Sequence, residues 1–195
     1  MRRKTLARSL YLAPAVLMLG ASGCSATETR PGWSARSDEL STWLPAAERG
    51  EREAQYLVAL AYDEGRGVAA DDSQAARWYE RSAEQGHAPA QNNLGLLYYE
   101  GAGVERSHAE AARLFSLAAE QGFGEAQGNR GVMFLLGQGV EQDHEQARTL
   151  LRLAATQGVV RAQRLLGSIY DQGLGTAEDD AEAAHWYREA ALQGD

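Results

Sequence analysis

The stretch that decides the fold runs from Ala90 to Val104 and reads A-Q-N-N-L-G-L-L-Y-Y-E-G-A-G-V. Ala90, Leu94, Leu97 and Tyr98 fall at i, i+4, i+7 and i+8, one apolar face of an α-helix, here helix A. Gly101 stands where a helix end needs left-handed backbone to satisfy its last carbonyls, and Gly103 lets the chain reverse tightly. The same pattern recurs every 36 residues. Units headed by Ala54, Ala90, Ala126 and Ala162 continue with Gln55, Gln91, Gln127 and Gln163, then with an aromatic at Tyr62, Tyr98, Phe134 and Tyr170. Glycine pairs follow at 65/67, 101/103, 137/139 and 173/175, a register that chance does not keep four times.

The second half of each unit carries its own helix signals. Asp71, Ser107, Asp143 and Asp179 are followed three residues later by Gln74, Glu110, Gln146 and Glu182, an N-cap with a capping-box partner that contributes about 1 kcal/mol each. Helix B therefore starts there and stops at Gly86, Gly122, Gly158 or Gly194. Gly95, Gly131 and Gly167 lie inside helix A, where glycine costs about 1 kcal/mol relative to alanine. Close approach of two helix backbones is the expected compensation, with Ala59 as the next-smallest solution in the first unit.

This pattern resembles the Sel-one-like repeat, a relative of the tetratricopeptide repeat, over about Ala54 to Asp195. The resemblance implies an all-α, right-handed α-solenoid of tetratricopeptide-like helix-turn-helix repeats of 36 residues. Its units would be 54–89, 90–125, 126–161 and 162–195, with helices A lining a concave groove used for scaffolding and protein binding. Thr176 in place of valine, Arg130 in place of an apolar residue, and Gly128 depart from the pattern, two of them in the third helix A.

Solenoid ends lack a neighbour to bury them. Residues 38–53 read as a degenerate N-terminal cap. Ala46-Ala47-Glu48-Arg49-Gly50 lies 36 residues before Ser82-Ala83-Glu84-Gln85-Gly86, Trp43 aligns with Tyr79, and Pro45 is expected to confine the helix to residues 45–49 or kink it. At the other end Leu192 replaces the Glu84, Glu120 and Thr156 of earlier units, which points either to self-association through the C-terminal end or to a chance substitution.

Ahead of the repeats, Arg2, Arg3, Lys4 and Arg8 precede an apolar run from Leu10 to Leu19, too short to cross a bilayer as a helix. Residues 1–23 read as a signal peptide. Gly20 to Gly23 are small and end at Cys24, the single cysteine, and this resembles a bacterial lipobox with Ala21 in place of the usual leucine. The resemblance implies acylation of Cys24, with palmitate among its lipids, and Ser25 behind it favours a periplasm-facing outer-membrane lipoprotein. Ordinary cleavage would leave a soluble periplasmic protein instead. Residues 24–37 read as a flexible tether with a reach of roughly 20 Å, in which Trp33 is solvated or sits at lipid headgroups.

Net charge is −8 for the chain and −12 once residues 1–23 are removed, which excludes a nucleic-acid partner needing a basic face. One cysteine excludes an internal disulfide and a paired-cysteine zinc site. His108 and His144 are repeat-equivalent and, with His87 and His185, read as solvated residues with no ligand at metal spacing; Asp71-Asp72 and Glu178-Asp179-Asp180 are explained by helix starts. The reading is therefore a non-catalytic scaffold with no cofactor and no metal. An envelope hydrolase acting on cell-wall or β-lactam substrates and an oligomerisation module stand as alternatives, although the chain lacks the repeated cysteine pairs of relatives linked to β-lactam hydrolysis.

At 100° per residue, the third, seventh and tenth positions of helix A oppose its buried stripe. In the middle units these are Asn92, Leu96, Tyr99 and Gly128, Val132, Leu135; in the outer units they include Asp63, Arg164, Ser168 and Asp171. An apolar groove centre with polar ends is the expectation. Its candidate partner-binding residues are Asn93, Leu96, Tyr99, Asn129, Val132 and Leu135, the asparagines bonding an extended peptide backbone. The alternative is that the aliphatic positions are partly core and the asparagines bond neighbouring loops.

Overall fold

The computed structural model describes residues 39–194. The signal segment, Cys24, the tether and Trp33 lie outside the described residues. Among the described residues there are nine helices and no strand: α1 (Glu39–Glu48), α2 (Arg52–Glu64), α3 (Asp72–Glu84), α4 (Ala88–Glu100), α5 (His108–Glu120), α6 (Gly124–Leu136), α7 (His144–Thr156), α8 (Val160–Gln172) and α9 (Asp180–Ala191). Each helix packs mainly on its chain neighbours, so the architecture is an all-α solenoid of four helix pairs behind one capping helix.

Local chemistry sets the boundaries. Gly65, Gly101, Gly137 and Gly173 close helices A with φ between +62° and +76°, where a Cβ would be strained. The N-cap side chains of Asp71, Ser107, Asp143 and Asp179 accept the backbone N–H three residues ahead. The capping box forms only half as expected, because the N-cap backbone N–H donates to the carbonyl of Tyr62, Tyr98, Phe134 or Tyr170 instead of to the side chain three residues on. That bond ties each helix B to the aromatic turn of its own helix A.

The glycines inside helix A face side chains more than backbone. A Cβ on Gly95 would stand 2.7 Å from the Phe115 ring, one on Gly167 2.8 Å from the Tyr187 ring, and one on Gly131 2.9 Å from Leu151 Cγ with Ala147 O at 3.2 Å. The second glycine of each loop does more than turn the chain: Gly103, Gly139 and Gly175 press against the first turn of the preceding helix B, at Asp72, His108 and His144.

At the N-terminal end α1 runs from Glu39 straight through Pro45, longer than the expected 45–49, with Ala47 buried and Leu40 and Leu44 packed on the same cluster. Trp43 is exposed, unlike its equivalent Tyr79, so apolar surface and not aromatic register holds the cap. At the other end Leu192 is 75% exposed.

Candidate functional site

Two polar systems run along the helices A, and both begin from residues the repeat places on a buried face. The first is a ladder of glutamines. Gln55, Gln91, Gln127 and Gln163 are buried, and their Nε2 atoms donate to the carbonyls of Ala47, Ala83, Ala119 and Ala155 in the preceding helix, at 3.1–3.4 Å. Their Oε1 atoms accept from Gln85, Gln121, Gln157 and Gln193 at 2.7–2.9 Å. A buried amide with both ends satisfied costs little, and here it staples each repeat to the one before. Sequence reading marked the first glutamine of each pair as a landmark but missed its role. The signal was present, as a polar residue repeated four times beside the buried alanine.

The second system occurs once. Asn129 Nδ2 donates to Asn92 Oδ1 at 2.9 Å, Asn92 Nδ2 to Asn93 Oδ1 at 3.2 Å, Asn93 Nδ2 to the Tyr79 hydroxyl at 3.1 Å, and that hydroxyl to Asp63 Oδ2 at 2.8 Å. The relay crosses three repeats and ends on a half-buried carboxylate. Burial pushes the Asp63 carboxyl above its usual value, with the charges of Glu64 and Asp72 adding and the Tyr79 hydroxyl opposing. Burial, and then the Asp63 charge, push the Tyr79 phenol up as well.

The six expected partner-binding residues divide. Asn93 and Asn129 are buried members of the relay, so their amides are spent inside the fold, as the alternative reading had it for neighbouring structure if not for loops. Val132 and Leu135 are buried too, and as surface anchors they are corrected. The physical reason is α6 itself: Gly128 and Gly131 carry no side chains, and Leu96 and Tyr99 pack against the cluster that holds Val132 and Leu135. Leu96 and Tyr99 remain half-exposed. The Tyr99 hydroxyl donates to Gln138 Oε1 at 2.7 Å, and its ring stacks on His108 with centroids 4.9 Å apart. Tyr56 and Leu60 are half-exposed at the equivalent face of the first repeat. The accessible apolar strip thus spans the first and second repeats, one repeat nearer the N-terminus than expected, and the fourth repeat turns polar at Arg164, Ser168 and Asp171.

Three of the four histidines are half-buried and not solvated. His87 lies 3.0 Å from Glu53 and 4.7 Å from the Tyr56 ring centroid, and burial lowers its pKa below the usual imidazole value. Arg130 extends its guanidinium over the Phe134 ring, which reconciles an arginine with an apolar position. No group of three or more metal-ligating side chains occurs among the described residues, and no described helix is long and apolar enough to cross a membrane.

A family model described as the Sel1 repeat matches four successive segments, 52–87, 88–123, 124–159 and 160–195. Those segments start two residues ahead of the alanine-headed units, at the first residues of α2, α4, α6 and α8. Among solved structures, the chain is similar to c5321, a protective antigen of uropathogenic Escherichia coli displaying an SLR fold, at 42% identity and a TM-score of 0.76, covering 80% of this chain and 33% of that one. A Sel1 repeat protein from Oxalobacter formigenes aligns at 34% identity with a TM-score of 0.76, over 80% of this chain and 62% of that one. A third, from Klebsiella pneumoniae, aligns at 26% identity with a TM-score of 0.62, over 80% and 74%. The chain spans about a third of the Escherichia coli structure and under two thirds of the Oxalobacter one. A search of curated protein sequences gives no match.

Proposed function

The chain belongs to the Sel1-repeat family, whose proteins are typically protein-interaction scaffolds and generally non-catalytic, and from that premise we propose that it is a lipid-anchored envelope scaffold holding a peptide or protein on its helix-A face. The observation that carries this reading is the strip of Tyr56, Leu60, Leu96 and Tyr99, half-exposed apolar side chains on α2 and α4, two helices that the asparagine relay ties together. A surface on helices that are already held together loses little conformational entropy when a partner docks, and aromatic anchors dominate such contacts. The anchor is the acylated Cys24, facing the periplasm from the outer membrane, a reading that rests on the lipobox-like run and on Ser25.

Two experiments separate the halves of this proposal. Site-specific photo-cross-linking from position 60 in cells is expected to trap one partner, and Leu96→Ser combined with Tyr99→Ala is expected to weaken its capture roughly ten- to a hundred-fold with the helical spectrum unchanged. Undiminished capture by that double variant would place the partner elsewhere. Detergent-phase partitioning is expected for the wild type and not for Cys24→Ala; if both stay aqueous, the anchor is wrong and the scaffold reading is untouched.

A further inference from the structure

Three equivalent junctions, here called clefts, lie where a helix B meets the next helix A at α3–α4, α5–α6 and α7–α8, with an aromatic residue on the helix A at Tyr98, Phe134 or Tyr170. The chain fills two of them with its own guanidinium groups. In the second cleft Arg130 lies 5.1 Å from the Phe134 centroid and donates to Ala112 O at 3.4 Å. In the third, Arg152 lies 5.7 Å from the Tyr170 centroid, hydrogen-bonds the Tyr170 hydroxyl, and pairs with Glu182 at 3.3 Å.

The first cleft has neither arginine. Leu94 stands where Arg130 is and Glu80 where Arg152 is, and a space of about 220 Å³ is open between Ala76, Arg77, Glu80, Leu94, Tyr98 and Val104. Glu80, Tyr98 and Glu110 occupy the places of Arg152, Tyr170 and Glu182, so a carboxylate replaces the cation beside the ring. Burial, and then the charges of Glu80 and Glu110, raise the Tyr98 phenol pKa. Arg113 is committed to Glu110, with Nε at 3.0 Å from both carboxylate oxygens, while Glu80 forms no ion pair among the described residues. Arg77 also lines this space.

We propose that this first inter-repeat cleft binds the guanidinium of an arginine side chain supplied by a polypeptide partner, stacked on Tyr98 with Glu80 as its counter-charge. The partner thereby completes the arrangement that the chain builds for itself in the other two clefts. A planar guanidinium satisfies both halves of the site at once, its face against the ring and its edge toward the carboxylate, where an ammonium has no face to stack. The site lies at the α3–α4 junction and does not depend on the helix-A strip.

The test uses the full chain with isotope-labelled tyrosine rings, the Tyr98 signal being assigned through Tyr98→Phe, and N-acetyl-arginine methylamide as probe. A saturable shift of the Tyr98 signal is expected, with the neutral isostere N-acetyl-citrulline methylamide at least about ten-fold weaker and acetate inactive. Glu80→Gln, which keeps size and helix propensity, should weaken the arginine probe by about ten-fold. Glu80→Arg, which installs the Arg152 arrangement, should abolish the response and raise the melting temperature. The proposal is overturned if Tyr98 shows no saturable shift, if citrulline or acetate matches arginine, or if folded Glu80→Arg binds the probe as well as wild type.

Discussion

The glutamine ladder and the asparagine relay are both buried hydrogen-bond systems in the same helices A, yet one repeats four times and the other occurs once. Each glutamine pair is closed within its own junction and shares no partner with the next pair. The relay is a single chain in which Asn92 serves both Asn129 and Asn93, so each bond leans on its neighbour. A polar group copied into every repeat has to be satisfied by what every repeat supplies, and the ladder does this with a carbonyl and a second glutamine. A polar group present once specifies which repeat sits beside which, the role best attested for buried polar residues in repetitive helical structures.

The comparison breaks most visibly in the ladder. Replacing Gln91 and Gln127 together by leucine removes four hydrogen bonds, one each at the Ala83 and Ala119 carbonyls and at the Gln121 and Gln157 amides, and should cost about 2–6 kcal/mol in urea unfolding, near the sum of the single changes because the rungs share no partner. A strongly non-additive double variant would show that the rungs are not independent. Gly131→Leu tests a second periodic feature, the small residue under helix B; with Leu151 Cγ 2.9 Å from the built Cβ, it should destabilise by about 1–3 kcal/mol, and an unchanged melting temperature would remove the packing argument.

The relay should behave in the opposite way. Asn92→Ala takes one hydrogen bond from the Asn129 amide and one from the Asn93 carbonyl oxygen, at about 1–3 kcal/mol, and combining it with Asn129→Ala should add clearly less than the second single change, because one bond is lost twice.

The smallest effect is a pH slope. A carboxyl whose folded pKa is raised binds its proton more tightly in the native state, so its contribution is fully present below the unfolded value near 3.8 and fades as pH rises through the folded value. Asp63→Asn keeps an acceptor for Tyr79 and should remove this slope, leaving the variant at least as stable as wild type at neutral pH. The difference between the two proteins is what isolates Asp63. Glu100, raised in the same direction, and His87, lowered by burial and therefore acting oppositely, titrate in both. An identical pH dependence in the two proteins would deny the relay a charged end.

How much of this was legible in the sequence differs between fold and site. Helix pairs, the left-handed glycines at 65, 101, 137 and 173 and the four N-caps followed from local rules, because each depends on backbone conformation and on residues within a turn or two. Pro45 misled the reading of α1, since burial of Ala47 and packing of Leu40 and Leu44 outweigh one missing backbone donor. The helix-A face misled it further. A helical wheel finds the side turned away from the helix's own partner, but a helix A also has helices A before and behind it, and Asn92, Val132 and Leu135 are covered from that second direction.

What the sequence determined by itself was the 36-residue period, the two helices in it and where each starts and stops, all consequences of spacing along one chain. Tertiary structure alone decided which polar residues are spent inside the fold, which apolar ones stay within reach of a partner, and which of three equivalent clefts remains open. Those outcomes depend on how closely neighbouring repeats approach, and that distance is set by residues about one repeat apart meeting across a junction, a relation no local pattern encodes.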